Sequence, residues 1–149
     1  MKKNPVDFEN SIGPWIGKTT KIVDYHMQEA MASHGLDLSK EQMIGLKKLQ
    51  DRDGLNQNEL AALTYRDKSS LARLLSKMEQ KNYIIRKQCI EDRRINKIYL
   101  TEKGEEIFRR TRPLGRQLIL MMEKNISADE KATMIDVLKR VQSNLIGQG

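Results

Sequence analysis

Two clusters of side chains in this sequence can act on a polyanion. Between residues 68 and 80, Lys68, Ser69, Ser70, Arg73, Ser76, Lys77 and Gln80 share one side of a helical repeat, with Leu71, Leu74, Leu75 and Met78 opposite them. No carboxylate is among these residues. Hydroxyls and long cationic donors can reach base edges and phosphate oxygens, whereas acids would be repelled. The second cluster is Asp92-Arg93-Arg94 with Lys97 close behind. An arginine pair at a projecting tip suits a narrow minor groove, whose width strengthens the negative potential. Asp92 is near enough to form an ion pair that orients Arg94. Each cluster has a plainer reading, a solvated helix face and a surface turn with a weak ion pair. What favours the chemistry is their order: a helix before the first cluster, and a hairpin carrying the second.

Charge points the same way. Residues 64–112 hold fourteen bases and seven acids, which accounts for the whole net charge of +7 and leaves the rest of the 149-residue chain neutral. A chain with a pI near 9.5, its net charge gathered on one module, needs an anionic partner, either nucleic acid or an anionic membrane surface. No segment joins a basic face to a bulky apolar one, and no apolar run approaches the roughly 20 residues of a membrane span, so no membrane partner is expected. The segment MKKNPVDFENSIG has lysines without an apolar block behind them and does not read as a secretory signal. One cysteine, Cys89, excludes an intramolecular disulfide and suits a reducing, cytoplasmic setting.

The elements that must position these clusters are mostly helical. Apolar residues at spacings of three and four from Phe8 to Met31 predict a first helix over residues 8–33, with Pro14 in its early part and Gly35 stopping it. Ser39 with Gln42 predicts a capped helix carrying Met43, Leu46 and Leu49 inward, ended by Asp51-Arg52-Asp53-Gly54. Asn56 with Glu59 opens a short helix holding Leu60, Ala61 and Leu63. Asp67 caps the helix of the first cluster, residues 68–81, and Asn82 can take the left-handed conformation that ends it. Residues 83–88 and 95–100 read as two strands of a hairpin, lying on that helix through Ile84, Ile98 and Leu100. Thr101 caps a helix with Ile107, Phe108 and Leu114 that bends near Arg112-Pro113. Ser127 with Glu130 caps a last helix bearing Met134, Ile135, Val137, Leu138, Val141 and Leu145.

Helix, turn, helix and basic hairpin in that order describe a winged helix-turn-helix. The fold class expected is mainly α (α+β), with the winged module over about 36–102. Long helices over about 8–35 and 102–147 have no separate core to fill, and a twofold homodimer would cover them. Residues 1–149 then form one domain.

The residues resemble the MarR family of bacterial transcription regulators. The resemblance rests on LNQNELA at 55–61, DKSSLARLL at 67–75, and Asp92-Arg93-Arg94 followed by IYLTEKG at 98–104. It implies a homodimer on double-stranded DNA with a near-palindromic operator, usually repressing, and often released by small anionic or phenolic effectors or by cysteine oxidation. It implies that Ser69, Ser70 and Arg73 meet the major groove and that Arg93 and Arg94 meet the minor groove. Thr64-Tyr65-Arg66 departs from the pattern, since many members have a glycine in that turn.

Other groups offer little. Cys89 has Arg86, Lys87 and Arg93 nearby, which would favour a thiolate, but sensing cysteines in redox-responsive relatives generally lie near the N-terminus. His26 and His34 have no companions at metal spacing, so no metal and no cofactor is expected. Trp15, Thr19, Tyr25 and His26 would border an effector cleft or simply pack. No nucleophile–base pattern, phosphate-cradling loop or dinucleotide fingerprint is present, so no enzyme is expected. The sequence leaves two other readings beside a sequence-specific regulator: an architectural winged-helix protein without strong sequence choice, and a small enzyme or interaction module on the same scaffold.

Overall fold

The computed structural model describes residues 5–64 and 66–147; Tyr65 and the lysines of the first segment, Lys2 and Lys3, lie outside the described residues. Two compact units divide the chain, residues 1–115 and 116–149.

The first unit begins with a 3-10 turn, Phe8–Asn10, rather than with the long helix expected from residue 8. Asp7 accepts the backbone N–H groups of Glu9 and Asn10, and α1 then runs Ile12–Ser33. Pro14 is the reason for the later start. It fits in the first turn of α1, where its missing N–H has no helical partner anyway, whereas in a helix already running from residue 8 its ring would clash with the carbonyl of Asn10. Gly35, at φ +68, stops α1 as expected. The apolar stripe of α1 is mostly uncovered: Met27 and Met31 are buried, while Ile12, Trp15, Ile22 and Tyr25 are exposed.

The module that follows comprises α2 (Lys40–Asp51), β1 (Leu55–Asn56), α3 (Gln57–Thr64), α4 (Lys68–Gln80), β2 (Ile84–Gln88), β3 (Asn96–Leu100) and the start of α5 (Glu102–Met122). Its capping signals act as the residue types dictate. Ser39 and Gln42 cap α2 reciprocally. Asn56 accepts the Glu59 N–H at 2.8 Å, while Glu59 reaches back to the Asn56 N–H. The sheet is antiparallel with order β1-β3-β2, pairing Leu55 with Ile98 and Arg86 with Ile98 on the other side. The core consists of Met31, Leu46, Leu49, Leu55, Leu60, Leu71, Leu75, Met78, Ile84 and Ile98, all essentially excluded from solvent. Three expected core positions sit nearer the surface: Leu63 is exposed, and Met43 and Leu100 are half-buried.

Two close approaches fix the hairpin on this core. Gly54, at φ +79, donates to the Ile98 carbonyl, and the Tyr99 ring lies where a Cβ would be crowded. On the other side, Thr101 donates its N–H to the Tyr83 carbonyl, and its hydroxyl caps α5 by accepting the Gly104 N–H. A third tie is polar. Lys81, at the end of α4, donates to Asp37 Oδ1 and to Gln42 Oε1, each at 3.0 Å. The Tyr83 hydroxyl donates to the Asp37 carbonyl at 2.7 Å. Burial and the neighbouring Asp37 charge both push the Tyr83 phenol above its ordinary range, so it stays a donor. Arg110 of α5 donates to the His34 carbonyl at the end of α1.

α5 continues without a break through Pro113, burying Ile107, Phe108, Thr111 and Leu114. In the second unit, the Ser127–Glu130 capping box opens α6 (Ala128–Ile146). No residue of α6 is buried, and Met134, Ile135 and Leu145 are exposed.

Candidate nucleic-acid interface

α4 is entered as its sequence predicts. Asp67 Oδ1 accepts the Ser70 N–H at 2.7 Å, and Leu71, Leu74, Leu75 and Met78 face inward. Their burial fixes the rotation of the helix, because residues at i, i+3, i+4 and i+7 lie on one face. Lys68, Ser69, Arg73 and Lys77 are consequently exposed on the other. At 13 residues, α4 is roughly 20 Å long, and a helix of ordinary diameter fits the major groove of B-DNA.

Two hydroxyls of this face have structural partners. Ser76 accepts from Arg86 of β2 at 3.0 Å, and Arg86 also pairs with Glu79 at 3.1 Å. Both contacts tie β2 of the wing to α4. Ser70 is half-buried and accepts from Arg66 Nη2 at 2.5 Å. Arg66 is the polar group that the sequence reading left out of the site. It counts in the basic run, but its half-buried position depends on how the α3–α4 turn folds.

The wing tip is ordered by its own backbone. Ile95 donates to the Asp92 carbonyl, Cys89 donates to the Ile95 carbonyl, and Gln88 Nε2 holds the Arg93 carbonyl at 2.6 Å. Asp92 Oδ1 accepts both the backbone N–H of Arg94, at 3.0 Å, and its Nε, at 3.2 Å. These bonds, the side-chain one first, hold the Asp92 carboxyl below its ordinary range. Arg94 is almost wholly exposed and Asp92 is half-buried, so the value of the pair lies in direction rather than stability. Arg93 and Arg94 are both exposed, and Ile90 beside them is 97% exposed.

Five of the expected residues gather in two places, and Ser69, Arg93 and Lys97 lie outside both. Lys68 and Arg94 line one cleft with Asn56, Asn58 and Asn96, between the start of α3 and the root of the wing. Ser70, Arg73 and Lys77 line another with Arg66. Lys97 lies directly opposite Lys87 in the β2–β3 ladder. Like charges placed so are unfavourable unless an anion joins them. Lys87 Nζ lies 5.4 Å from the Tyr99 ring centroid.

The other singled-out residues have local partners. Trp15 Nε1 donates to the Glu9 carbonyl, Thr19 donates to the Trp15 carbonyl, and Tyr25 meets His26 edge-on. Cys89 is half-buried. Among the described residues no three His, Cys, Asp or Glu side chains come together as a metal site, and no helix is long and apolar enough to cross a membrane.

Residues 38–95 match the sequence profile of the MarR family. The chain is 31% identical over 108 residues to the HTH-type transcriptional regulator SarZ of Staphylococcus haemolyticus, covering 72% of each protein. It is 27% identical over 110 residues to the uncharacterized HTH-type transcriptional regulator YybA of Bacillus subtilis, covering 74% of this chain and 73% of that protein. Among solved structures, wild-type MarR from E. coli in its apo form superposes with a TM-score of 0.73 at 26% identity, over 88% of this chain and 96% of that one.

Proposed function

Because this chain belongs to the MarR family of transcriptional regulators, we propose that it is a homodimeric, ligand-responsive repressor that binds a near-palindromic operator in double-stranded DNA. The regulator is DNA-binding and is not an enzyme. One observation carries the finer reading: the outer face of α4 presents Lys68, Ser69, Arg73 and Lys77, its one acid, Glu79, being paired with Arg86, beside a wing tip bearing Arg93 and Arg94. In this reading Ser69, Ser70 and Arg73 address bases in the major groove, Lys68, Lys77 and Lys97 address phosphates, and Arg93 and Arg94 enter the adjacent minor groove.

Dimerisation is supported by apolar surface that each unit leaves open, on α1 in the first and on α6 in the second. Residues 36–102 would be the reading head, and the helices over about 8–35 and 102–147 the dimer contacts of a single functional domain of residues 1–149. A cytoplasmic location follows from contact with DNA and from a lone, unpaired cysteine. The effector class suggested by the family is a small anionic or phenolic molecule, and no residue here is assigned to it.

The test is footprinting on the DNA upstream of the protein's own operon. Two protected half-sites about one helical turn apart are expected. Affinity for that DNA equal to affinity for random duplex would instead favour an architectural role, and a monomer that binds no duplex at low salt would end the proposal.

A further inference from the structure

The turn between α3 and α4 holds a cation that the outer face of α4 does not include. Arg66 is half-buried, and its Nη2 donates to Ser70 Oγ at 2.5 Å. Its Nε is shielded from solvent and meets no acceptor among the described residues. No ion pair among the described residues involves Arg66, Arg73 or Lys77. A cationic N–H shielded from water without an acceptor is unfavourable by itself. Its neighbours make it a concentrated positive site. Arg66, Ser70, Arg73 and Lys77 line one groove of about 410 Å³, with Ser39 and Glu41 of the α2 entry on its other side. Three cations there oppose one carboxylate.

We infer that this groove seats a phosphate oxygen pair of the DNA backbone, with Arg66 as its inner contact. A planar guanidinium matches two phosphate oxygens side by side. Ser70, by accepting from Nη2, fixes the plane of that guanidinium and keeps its own hydroxyl hydrogen available to a further oxygen. Arg73 and Lys77 belong both to the groove and to the exposed face of α4. A strand bordering the major groove would therefore pass the groove when α4 enters, and the inference rests on that reading of α4. The same chemistry would suit a free phosphate, and the test separates the two sources.

The full-length protein and its Arg66→Gln, Arg66→Lys and Glu41→Gln variants would be titrated with operator and random duplex over a salt series. Their melting temperatures would be measured with and without inorganic phosphate at fixed ionic strength. Arg66→Gln is expected to weaken both duplexes by the same factor, about 5- to 10-fold near 0.15 M salt. The slope of log affinity against log salt should shrink by about one, with the operator-to-random ratio retained. Arg66→Lys should keep most of the slope, and Glu41→Gln should tighten both duplexes. An unchanged slope with a lowered melting temperature would assign Arg66 to folding alone and overturn the inference. So would phosphate raising the melting temperature of the unmodified protein but not of Arg66→Gln while duplex affinity and salt slope stay the same in both, which would assign the groove to a free anion. Failure of the unmodified protein to bind any duplex refutes the reading of α4 itself, and is told apart by appearing before any substitution.

Discussion

A Cβ on Gly104 would stand 2.1 Å from the Tyr83 carbonyl oxygen, which itself accepts the Thr101 N–H. The first turn of α5 thus rests on the backbone at the start of the wing, and nothing there can yield. Gly104→Ala should destabilise the fold by about 2–3 kcal/mol, as overpacking against rigid atoms does. The melting temperature would fall by roughly 5–10 °C. Thermal unfolding at fixed protein concentration measures this, and an unchanged midpoint would contradict the packing described.

Arg73 and Lys77 occupy adjacent turns of α4 yet should behave differently. Arg73→Ala is expected to cost about 1–3 kcal/mol on operator DNA and less on random duplex, flattening base preference. Lys77→Ala should weaken both duplexes alike. Competition binding with single-base operator variants distinguishes them, and equal losses for both substitutions on every sequence would remove Arg73 from base reading.

The Asp92–Arg94 pair sets a pH expectation. The folded carboxyl is held below its ordinary value, so the contribution of the pair is complete above the unfolded-state pKa, about 3.9. It is lost only as pH falls through the lower folded value. Between pH 5 and 8 the orientation of Arg94 should therefore not vary, and DNA affinity should show no titration from this pair. Asp92→Asn should lower affinity across that whole range, read by fluorescence anisotropy at constant salt.

Lys97 and Lys87 face each other across the ladder. Lys97→Ala should stabilise the free protein by a few tenths of a kcal/mol, by relieving that repulsion, while weakening DNA binding. Denaturant unfolding and duplex titration on one preparation give both signs. A destabilised variant would show that the stem of Lys97 packs more than its charge repels.

Ile135 lies exposed on α6, a helix with no buried residue. Ile135→Glu should shift the protein toward monomer in sedimentation, and should lower operator affinity by a factor of at least roughly 100, because one half-site is then engaged alone. Unchanged sedimentation would place the dimer contact elsewhere.

The helix entries could be read from the chain because a cap is a local device. Ser39, Asp67, Thr101 and Ser127 each act on an amide within three residues, so the sequence contains the whole interaction. The inward face of α4 was equally visible, since burial at Leu71, Leu74, Leu75 and Met78 follows from spacing alone. β1 was not. Two residues show no alternation, and Leu55 is a strand only because Ile98 returns beside it from far along the chain. The seat of Arg66 was hidden for a related reason: the groove it lines is closed on its other side by the start of α2, more than twenty residues earlier in the chain. α1 was overextended because its apolar stripe begins before Pro14, and the stripe records surface meant for covering rather than the helix start.

Lys81 joins the end of α4 to Asp37 in the connection from α1 and to Gln42 in the cap of α2. Turning α4 about its own axis would have to strip this ammonium from both acceptors at once, while Arg86 would pull against it through Ser76 and Glu79. The helix is accordingly braced against torque at one end by the stem and along its side by the wing. A shift that carried Asp37 and Gln42 with it would therefore carry the exposed face of α4 as a unit, leaving the aim of its side chains relative to one another unchanged.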